Sequence, residues 1–581
     1  MASLPLSNAA SRTSYWRRLS ASLALDRTLT AGILCVVFMI LFLYTRAKYY
    51  TFDSVSYAYS IWKFDQTGDR MALFHPHHLL FNLTGWLLWR LCRMLGYVGG
   101  PLEVLKSMNA ILGGIGIGLL NLTLRNVLTR SRALALLSAV GVGLSFGYWI
   151  CATDGRVNMM SVVMLIAAFY ALVVTMQSPT KRRAFATGIV AALAVLYHES
   201  AGLFLPVAWL GIWLADYPQG VRAEQSRTRW RLLAVFTATW LALTVIPYLT
   251  VGISYLHLTS VDDYKNWAAR YAILGWWWDF RILHNLRLDA YAIRKCLFTE
   301  PTGKQGTFYI AHGATSLGFW SYVSVLGGWL LASYLSLIAL PLLVKTHYRR
   351  TIAVMFAWLF VNTAFFTVWQ PSYFVFRVPT IMGGAILMAI VWSHYRAQRA
   401  GRFWLVAIGV WIGLYGISNY VLSIGPHADP KGNPYTAFAE DVRRHTAAPD
   451  LIVLPGTGFG EPDEVYIPYF SQRDVFSIHT EMAHHNERFD EMAQALHARM
   501  DQARAAGGTV YLLDDLYEPG LAEDCLMRQH GITRPMLLSL FHPGMRSKAW
   551  ANHSRGPVWR LLPQPVVPDS AAAPNPIGPA P

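Results

Sequence analysis

The chain has 581 residues, of which 54% are hydrophobic and only 14% are charged. Soluble domains carry about 25% charged residues, so this composition excludes a soluble multidomain protein and indicates a polytopic membrane protein. The net charge of +16 does not predict nucleic-acid binding, because many basic residues lie in short loops between apolar segments, as the positive-inside rule requires. Five cysteines without a CxxC spacing predict neither a disulfide framework nor a zinc ribbon.

Eleven apolar segments are candidate membrane spans. Residues 1–28 are polar and basic, and we expect the first segment, 29–44, to be a retained helix rather than a signal peptide. Most of the others approach the roughly 20 residues that a spanning helix needs. They cover 102–124, 133–150, 157–176, 184–197, 201–215, 232–251, 317–344, 352–369, 378–395 and 403–424.

One further apolar segment, 78–95, decides the topology. Its polar residues recur at helical spacing on one side, which predicts a helix that lies in the membrane interface. If this helix does not cross and the N-terminus is cytoplasmic, the strongly basic short loops all face the cytoplasm. The short opposite loops then carry only Arg156 and Arg377.

This topology leaves three external regions, 45–101, 252–316 and everything after 424. Residues 425–562 contain no long apolar segment. Their short strand-like segments, separated by charged helical stretches, predict a small α/β domain with strands at 451–454, 475–478 and 509–513. The Pro/Ala-rich tail 563–581 is predicted to be disordered. The predicted class is therefore an α-helical polytopic membrane protein with a C-terminal extramembrane α/β domain.

Ionisable residues from five loops are predicted to share the external face. Such groups at a membrane boundary are costly unless they have partners or a function, so we expect one site. The residues are Asp53; His75, His77 and His78; Asp154 and Arg156; His198 and Glu199; and the segment Gln370 to Arg377.

Each group also has a structural explanation. Asp53 is compatible with a solvated loop, and Asp154 with the positive end of a helix dipole. The histidine triplet alone is a weak metal pattern, since no carboxylate spacing accompanies it. His198-Glu199 fits a polar hairpin tip, and Arg377 fits a basic side chain that reaches the interface.

Three segments, in this order, resemble the GT-C glycosyltransferases, nearest to the protein O-mannosyltransferase, aminoarabinose transferase and Rgt-type branch. They are Asp53-Ser-Val-Ser-Tyr57 after the first helix, His75-Pro76-His77-His78-Leu79 at the interfacial helix, and Ala152-Thr153-Asp154 before the fourth span. The resemblance covers roughly residues 25–425. It departs from the family where Ser54 follows Asp53 instead of a second acid, and where His77 replaces the second proline of an HPP motif.

The resemblance implies transfer of a sugar from a polyprenyl-phosphate donor to a glycan, lipid or protein acceptor on the outer face of a cell inner membrane. It implies Asp53 as general base and Asp154 as a second acid that orients the acceptor or a cation. Donor-phosphate contacts are expected from Arg377, His198 and Arg156. Substrate contacts are expected from Tyr57, His75, His77, His78, Glu199 and Gln370. No cofactor is required, although a divalent metal is compatible with the chemistry.

Aromatic and glycine-rich segments outside the spans have alternative interpretations. Trp267, Trp276, Trp277 and Trp278 fit either interface anchors or platforms for sugar rings. In the C-terminal domain, the segment 456–460 lacks the full GxGxxG spacing and 479–485 is not an HExxH motif, so neither a nucleotide site nor a zinc protease is predicted. This domain is expected to select the acceptor or to be structural.

Two other functional classes remain open at this stage. A transporter or flippase of a lipid-linked glycan would place acids or broken helices near the bilayer midplane. A non-catalytic assembly factor would not need Asp53. The concentration of polar groups at one face favours the enzyme.

Overall fold

A computed structural model describes most of the chain, and its residues form two compact units, Met1–Gly432 and Asn433–Pro581. The boundary lies a few residues beyond the predicted 424/425, because a short helix continues through Ala428. The predicted span 317–344, apart from residue 341, and the predicted tail lie outside the described residues. Those residues are 8–128, 131–217, 222–269, 277–299, 341, 348–396, 401–429, 433–455, 461–485, 487–513, 526–527, 530–541, 546–552 and 556–562.

The described part of the first unit consists of α-helices joined by short turns. The helices are α1 (Asn8–Tyr44), α2 (Phe52–Thr67), α3 (Arg70–Leu73), α4 (Phe81–Met94), α5 (Pro101–Val127), α6 (Arg132–Gly143), α7 (Phe146–Thr153), α8 (Asn158–Gln177), α9 (Lys181–Tyr197), α10 (Phe204–Trp213), α11 (Arg222–Thr250), α12 (Val261–Ala268), α13 (Ile282–Leu297), α14 (Arg349–Val368), α15 (Val378–Arg396), α16 (Gly401–Asn419) and α17 (Gly425–Ala428). Three 3-10 turns, Pro76–His78, Glu199–Leu203 and Phe374–Arg377, shape the loops that matter below.

Seven helices within the described residues are long and apolar enough to cross a membrane, and α6 with α7 would make an eighth, bent by 62°. The seven are Asp26–Tyr44, Pro101–Val127, Asn158–Gln177, Ala223–Tyr255, Arg349–Val368, Phe374–Ser393 and Arg402–Ala428. The predicted span 184–197 corresponds to α9, which has 17 residues and begins with three basic residues. The predicted span 201–215 corresponds to the shorter apolar helix Glu199–Trp213. The polytopic helical class is confirmed, whereas the number eleven stays a prediction.

The segment predicted to lie in the interface forms α4. This helix has 14 residues, or about 21 Å at 1.5 Å per residue, which is shorter than the roughly 30 Å hydrocarbon core. It buries Phe81 and Trp89 and exposes Leu87, Leu91 and Met94. Its length and amphipathic faces support the prediction that it does not cross.

Close helix packing near the first span depends on two glycines of α5. A Cβ at Gly114 would lie 2.5 Å from the Cys35 carbonyl oxygen, and one at Gly118 would lie 2.8 Å from that of Ala31. The two glycines are four residues apart on one face, a spacing that lets helix backbones approach closely. Helix α1 therefore packs directly on α5. The chain continues from the end of α1 through a short loop to Asp53.

Within its described residues, 252–269 and 277–299, the predicted external loop 252–316 forms the helices α12 and α13. Helix α13 packs against α7, α14 and α15 and buries Asn285, Asp289, Ala292 and Cys296 on one face. Trp267 is buried and Trp277 stacks on Trp369 at 6.2 Å between ring centroids, whereas Trp276 lies outside the described residues. The region is thus more than an aromatic loop. The helical spacing of the buried α13 residues is a sequence signal from which this helix could have been predicted.

The second unit is an α/β domain, as predicted. It contains α18 (Pro434–His445), α19 (Asp463–Tyr466), α20 (Ile478–His484), α21 (Phe489–Ala505), α22 (Arg534–Leu540) and strands β1 (Leu451–Leu454), β2 (Asp474–Ser477), β3 (Val510–Leu513), β4 (Arg546–Asn552) and β5 (Gly556–Leu561). The strand order is β2-β1-β3-β5-β4. The three predicted strands are parallel neighbours, and β5 pairs antiparallel with both β3 and β4. The β4–β5 hairpin was not predicted, because its strands alternate with polar residues and lack an apolar run.

Candidate active site

Asp53 lies in the first turn of α2. Thr51 caps this helix, and its hydroxyl accepts the Ser54 backbone N–H at 3.4 Å. A carboxylate in a first helical turn is favoured by the helix dipole. The half-buried Asp53 side chain accepts a hydrogen bond at Oδ2 from the Tyr373 hydroxyl, at 3.0 Å. The sequence placed Tyr373 in the relevant loop but did not single it out.

Asp154 lies in the turn between α7 and α8 and is completely buried. Its carboxylate accepts hydrogen bonds from the hydroxyls of Thr51, at 2.7 Å, and Ser54, at 2.6 Å. It also accepts the Gly155 N–H at 2.9 Å and the Arg156 Nε–H at 3.2 Å. With four donors on its two oxygens, Asp154 fixes the start of α2 and the side chain of Arg156, which makes it a positioning residue.

The backbone of the same turn is held by Asn109 on α5. Its side-chain amide donates to the carbonyl oxygens of Asp154, at 2.7 Å, and Arg156, at 2.6 Å. Asn109 is fully buried. It was missed because an isolated asparagine in an apolar span carries no positional pattern, although an intramembrane polar residue is a signal in itself.

Two cations lie close to the Asp53 end of the site. Burial lowers the pKa of Arg156, but Tyr373, Asp154 and Asp53 raise it more. The resulting pKa lies above the ordinary value of an arginine. Lys295 is half-buried on α13, and burial together with Arg156 lowers its pKa. Its ammonium lies 5.2 Å from the centre of the Phe374 ring, and it forms no ion pair with a carboxylate in the described part of the chain. A lysine held near an arginine in this way favours an anionic ligand.

Arg377 has a different environment from the one predicted. It is completely buried, and its Nε lies 2.5 Å from Asp289 Oδ1 on α13. It also donates from Nη2 to the carbonyl oxygens of Pro371, at 3.0 Å, and Phe366, at 3.2 Å. Asp289 thus lies directly beside the guanidinium, and the predicted contact of Arg377 with a donor phosphate stays a prediction. The ion pair ties the loop that carries Tyr373 to α13.

His75 and His198 cap two successive 3-10 turns in the same manner. His75 Nδ1 accepts the His77 N–H at 3.3 Å, and His198 Nδ1 accepts the Ser200 N–H at 3.2 Å. Burial, with the charges of His77 and His198, lowers the pKa of His75 to about 3. Burial also lowers the pKa of His198 to about 4, despite the opposing effect of Glu199. The predicted contact of His198 with the donor phosphate stays a prediction.

The remaining histidines lie against these caps. The His78 ring stacks on His75 with centroids 4.2 Å apart and meets Tyr57 edge-on at 4.6 Å. His77 Nδ1 contacts the Glu199 carboxylate. The structure therefore brings together all the predicted residues of the 75–78 and 198–199 segments.

Aromatic side chains connect this cluster with Asp53. Phe376 lies 5.0 Å from Tyr373 and 5.6 Å from His198, measured between ring centroids. Asp53 and Tyr57 are four residues apart on α2 and therefore share a face of the helix. The predicted residues thus form one site with an Asp53 end and a histidine end.

Gln370 lies at the turn that directs Tyr373 toward Asp53. Its φ angle of 48° is in the left-handed region, which is unusual for a residue other than glycine. Its N–H donates to the Trp277 carbonyl oxygen, and its own carbonyl oxygen accepts the Tyr373 N–H, both at 3.1 Å. The backbone contacts explain Gln370 as a loop-shaping residue, and its predicted contact with substrate stays a prediction.

Within the described ranges, no group of three or more His, Cys, Asp or Glu side chains is arranged to hold a metal ion. In the second unit, His479 Nδ1 lies 2.6 Å from His530 Nε2, and this pair does not form such a group either. Segment 456–460, which does not match a dinucleotide-binding loop, lies outside the described residues.

Comparisons with known proteins identify the fold. No protein-family model matches the sequence, and no curated protein matches it. Among solved structures, ArnT from Cupriavidus metallidurans bound to undecaprenyl phosphate matches with a TM-score of 0.55 and 12% identity, over 92% of this chain and 97% of that chain. The Archaeoglobus fulgidus oligosaccharyltransferase in complex with Zn and sulfate matches with a TM-score of 0.50 and 12% identity, over 90% and 72%. Both are GT-C glycosyltransferases.

The chain has the GT-C fold. The GT-C resemblance predicted from three short segments is thereby confirmed for the fold, and the match with ArnT extends over nearly the whole length of both chains. Within this fold, Asp53, Asp154 and Arg156 converge where the first span leads into α2, and Tyr373 and Lys295 join them there.

Proposed function

We propose that this protein is a membrane glycosyltransferase that moves a sugar from a polyprenyl-phosphate donor to a glycan, lipid or protein acceptor. The observation that carries this proposal is a carboxylate, Asp53, held by Tyr373 beside the cations Arg156 and Lys295. The structural likeness to a GT-C enzyme bound to undecaprenyl phosphate supports the class of donor.

The arrangement supplies the groups that such a transfer needs. Asp53 Oδ2 is engaged by Tyr373, which leaves Oδ1 to accept the proton of the acceptor hydroxyl. The hydroxyl oxygen forms a bond with the anomeric carbon as the bond between that carbon and the phosphate oxygen breaks. The electron pair leaves with the lipid phosphate, and Arg156 and Lys295 stabilise the charge that develops there. Asp154 keeps Arg156 in place and takes no proton in this scheme.

The chemistry requires no cofactor, and a divalent metal ion is compatible with it. Transfer measured in EDTA and after addition of Mg²⁺, Mn²⁺ or Zn²⁺ tests this point. Unchanged turnover in EDTA supports a metal-independent reaction, whereas loss of turnover that a metal restores would contradict it.

We further propose a cell inner-membrane protein with a cytoplasmic N-terminus, an external active site and a periplasmic C-terminal domain. The distribution of basic residues among the short loops supports this orientation. A reporter fused after Arg130 should give a cytoplasmic signal. An external signal at that position would contradict the orientation.

The bent pair α6 and α7 is the feature that a transporter or flippase would also show. Its break is filled by Asn419, whose amide donates to the carbonyl oxygens of Leu144, at 2.8 Å, and Leu297, at 3.0 Å. The bend is thus stabilised by protein contacts near α13 and does not favour the transport alternative over the enzyme.

Purified full-length protein in proteoliposomes tests the proposed function. A polyprenyl-phosphate hexose is supplied together with cell-envelope extract as acceptor, and release of polyprenyl phosphate is measured by mass spectrometry. Release that depends on the acceptor supports transfer. Movement of intact donor across the bilayer without release would support the transporter and contradict the enzyme.

A further inference from the structure

The geometry of the histidine end holds two of its imidazoles, those of His75 and His198, in the neutral form. His75 and His198 each use Nδ1 to accept a backbone N–H, so that nitrogen carries a lone pair and the ring proton is on Nε2. Protonation of Nδ1 would remove both caps. The Ser200 hydroxyl also lies 2.8 Å from His198 Nδ1, which adds a second donor to the same lone pair.

His77 supplies the partner of the carboxylate in this cluster. Its Nδ1 contacts the Glu199 carboxylate, so that acid is already engaged by a protein group. Arg156 and Lys295, the cations described above, belong to the Asp53 end.

His78 supplies the observation that points to a ligand. Its side chain is only 2% exposed, and its Nδ1 has no hydrogen-bond partner among the described residues. A buried nitrogen without a partner is costly, and a hydroxyl group from a ligand would satisfy it. The adjacent Tyr57 and His75 rings provide flat surfaces of the kind on which sugar rings pack.

We propose that His75, His78 and His198 form the sugar subsite of the donor and that it selects an uncharged sugar, a neutral hexose or pentose. This inference rests on the proposed function. Neutral imidazoles donate to and accept from hydroxyl groups but do not neutralise a carboxylate. An ammonium group would enter a cluster in which Glu199 already has His77 as partner, and an unpaired charge near buried side chains is unfavourable.

The test measures binding of short donor analogues to the full-length protein in detergent. The probes are farnesyl phosphate alone and its esters with a neutral hexose, an amino-pentose and a hexuronic acid. The neutral ester should bind more tightly than farnesyl phosphate, by about fivefold for one hydrogen bond. The two charged esters should not bind more tightly than farnesyl phosphate.

His78→Phe keeps the ring contacts with Tyr57 and His75 and removes the nitrogen. In this variant the neutral ester should therefore bind no more tightly than farnesyl phosphate. The substitution should leave the affinity for farnesyl phosphate unchanged, which also shows that the variant is folded. His497→Phe, at an exposed histidine of the second unit, is the control and should behave as wild type.

The outcomes separate this inference from the proposed function. The sugar-subsite assignment would be overturned, while the donor class stands, by either of two results. One is that His78→Phe still binds the neutral ester more tightly than farnesyl phosphate; the other is that a charged ester binds the wild type as tightly as the neutral ester does. Failure of all four probes to bind would overturn the proposed donor class and this inference with it.

Discussion

The Tyr373 hydroxyl donates a hydrogen bond to Asp53 Oδ2 at 3.0 Å, and the two residues are 320 positions apart in the chain. This contact joins the start of α2 to the loop between α14 and α15. It fixes which oxygen of Asp53 stays open for a proton. No local sequence pattern relates the two residues, so the contact is a product of the fold.

We expect Tyr373→Phe to lower kcat by about 10- to 100-fold with little change in KM, since a hydrogen bond to a charged group contributes about 1.5–3 kcal/mol. Steady-state release of polyprenyl phosphate measures the effect. Tyr97→Phe, which removes an exposed hydroxyl that donates to Gly100, is the matched control. Wild-type turnover in Tyr373→Phe would show that this contact does not orient Asp53.

Asp154→Asn should reduce stability as well as activity. The substitution leaves the buried Arg156 guanidinium without its neutralising partner, a change that costs about 3–5 kcal/mol. Thermal unfolding in detergent should show a lower midpoint for Asp154→Asn than for Asp53→Asn. Equal midpoints would mean that Asp154 does not have the positioning role that its four hydrogen bonds indicate.

The buried pair of Arg377 and Asp289 can be separated from donor binding by a double-mutant cycle. Each single substitution, Arg377→Met or Asp289→Asn, leaves one charge buried without its partner and should lower the unfolding midpoint and the turnover. The double variant carries neither charge and should recover part of both. If Arg377 bound the donor phosphate instead, the double variant would stay as inactive as Arg377→Met.

Acidification should destabilise the histidine end of the site. Burial lowers the pKa of His198 to about 4, whereas an unfolded histidine titrates near 6.5. Because the unfolded chain binds the proton more readily, this stability is fully present above about pH 6.5 and is lost as the pH falls toward 4. The unfolding midpoint between pH 7 and pH 4 measures it.

His198→Asn is the matched variant for this pH dependence. Asparagine also accepts a backbone N–H at an N-cap but does not titrate. The variant should therefore show a shallower decline than wild type over the same range. An identical decline in the two proteins would assign the pH dependence to other groups.

Local chemistry made much of this structure predictable from the sequence. Apolar length identified most of the helices, and three short segments identified the GT-C fold because their order reflects where external loops follow spans. The parallel strands β1 and β3 were found because they are short, mostly buried apolar runs, whereas β2 is partly polar and was found from its shorter Val475-Phe476 core. The same logic placed Asp53, Asp154 and the histidines in one region.

The partners of these residues could not be predicted in the same way. The ion pair of Arg377 was not predicted because its partner, Asp289, lies on a helix that was assigned to a loop. Lys295 was overlooked for the same reason, since the aromatic residues around α13 concealed its amphipathic face. The cap formed by His198 Nδ1 was not predicted because it depends on backbone geometry that a sequence does not display.

The most direct measurement compares wild type, Asp53→Asn and Asp53→Glu for acceptor-dependent release of polyprenyl phosphate under identical conditions. Asp53→Asn removes the base while Oδ1 and Nδ2 keep the shape of the carboxylate, so it should fold with a wild-type unfolding midpoint. We expect it to lose turnover by about 100-fold or more and Asp53→Glu to retain part of it. Equal turnover by wild type and Asp53→Asn would contradict the role of Asp53 as general base.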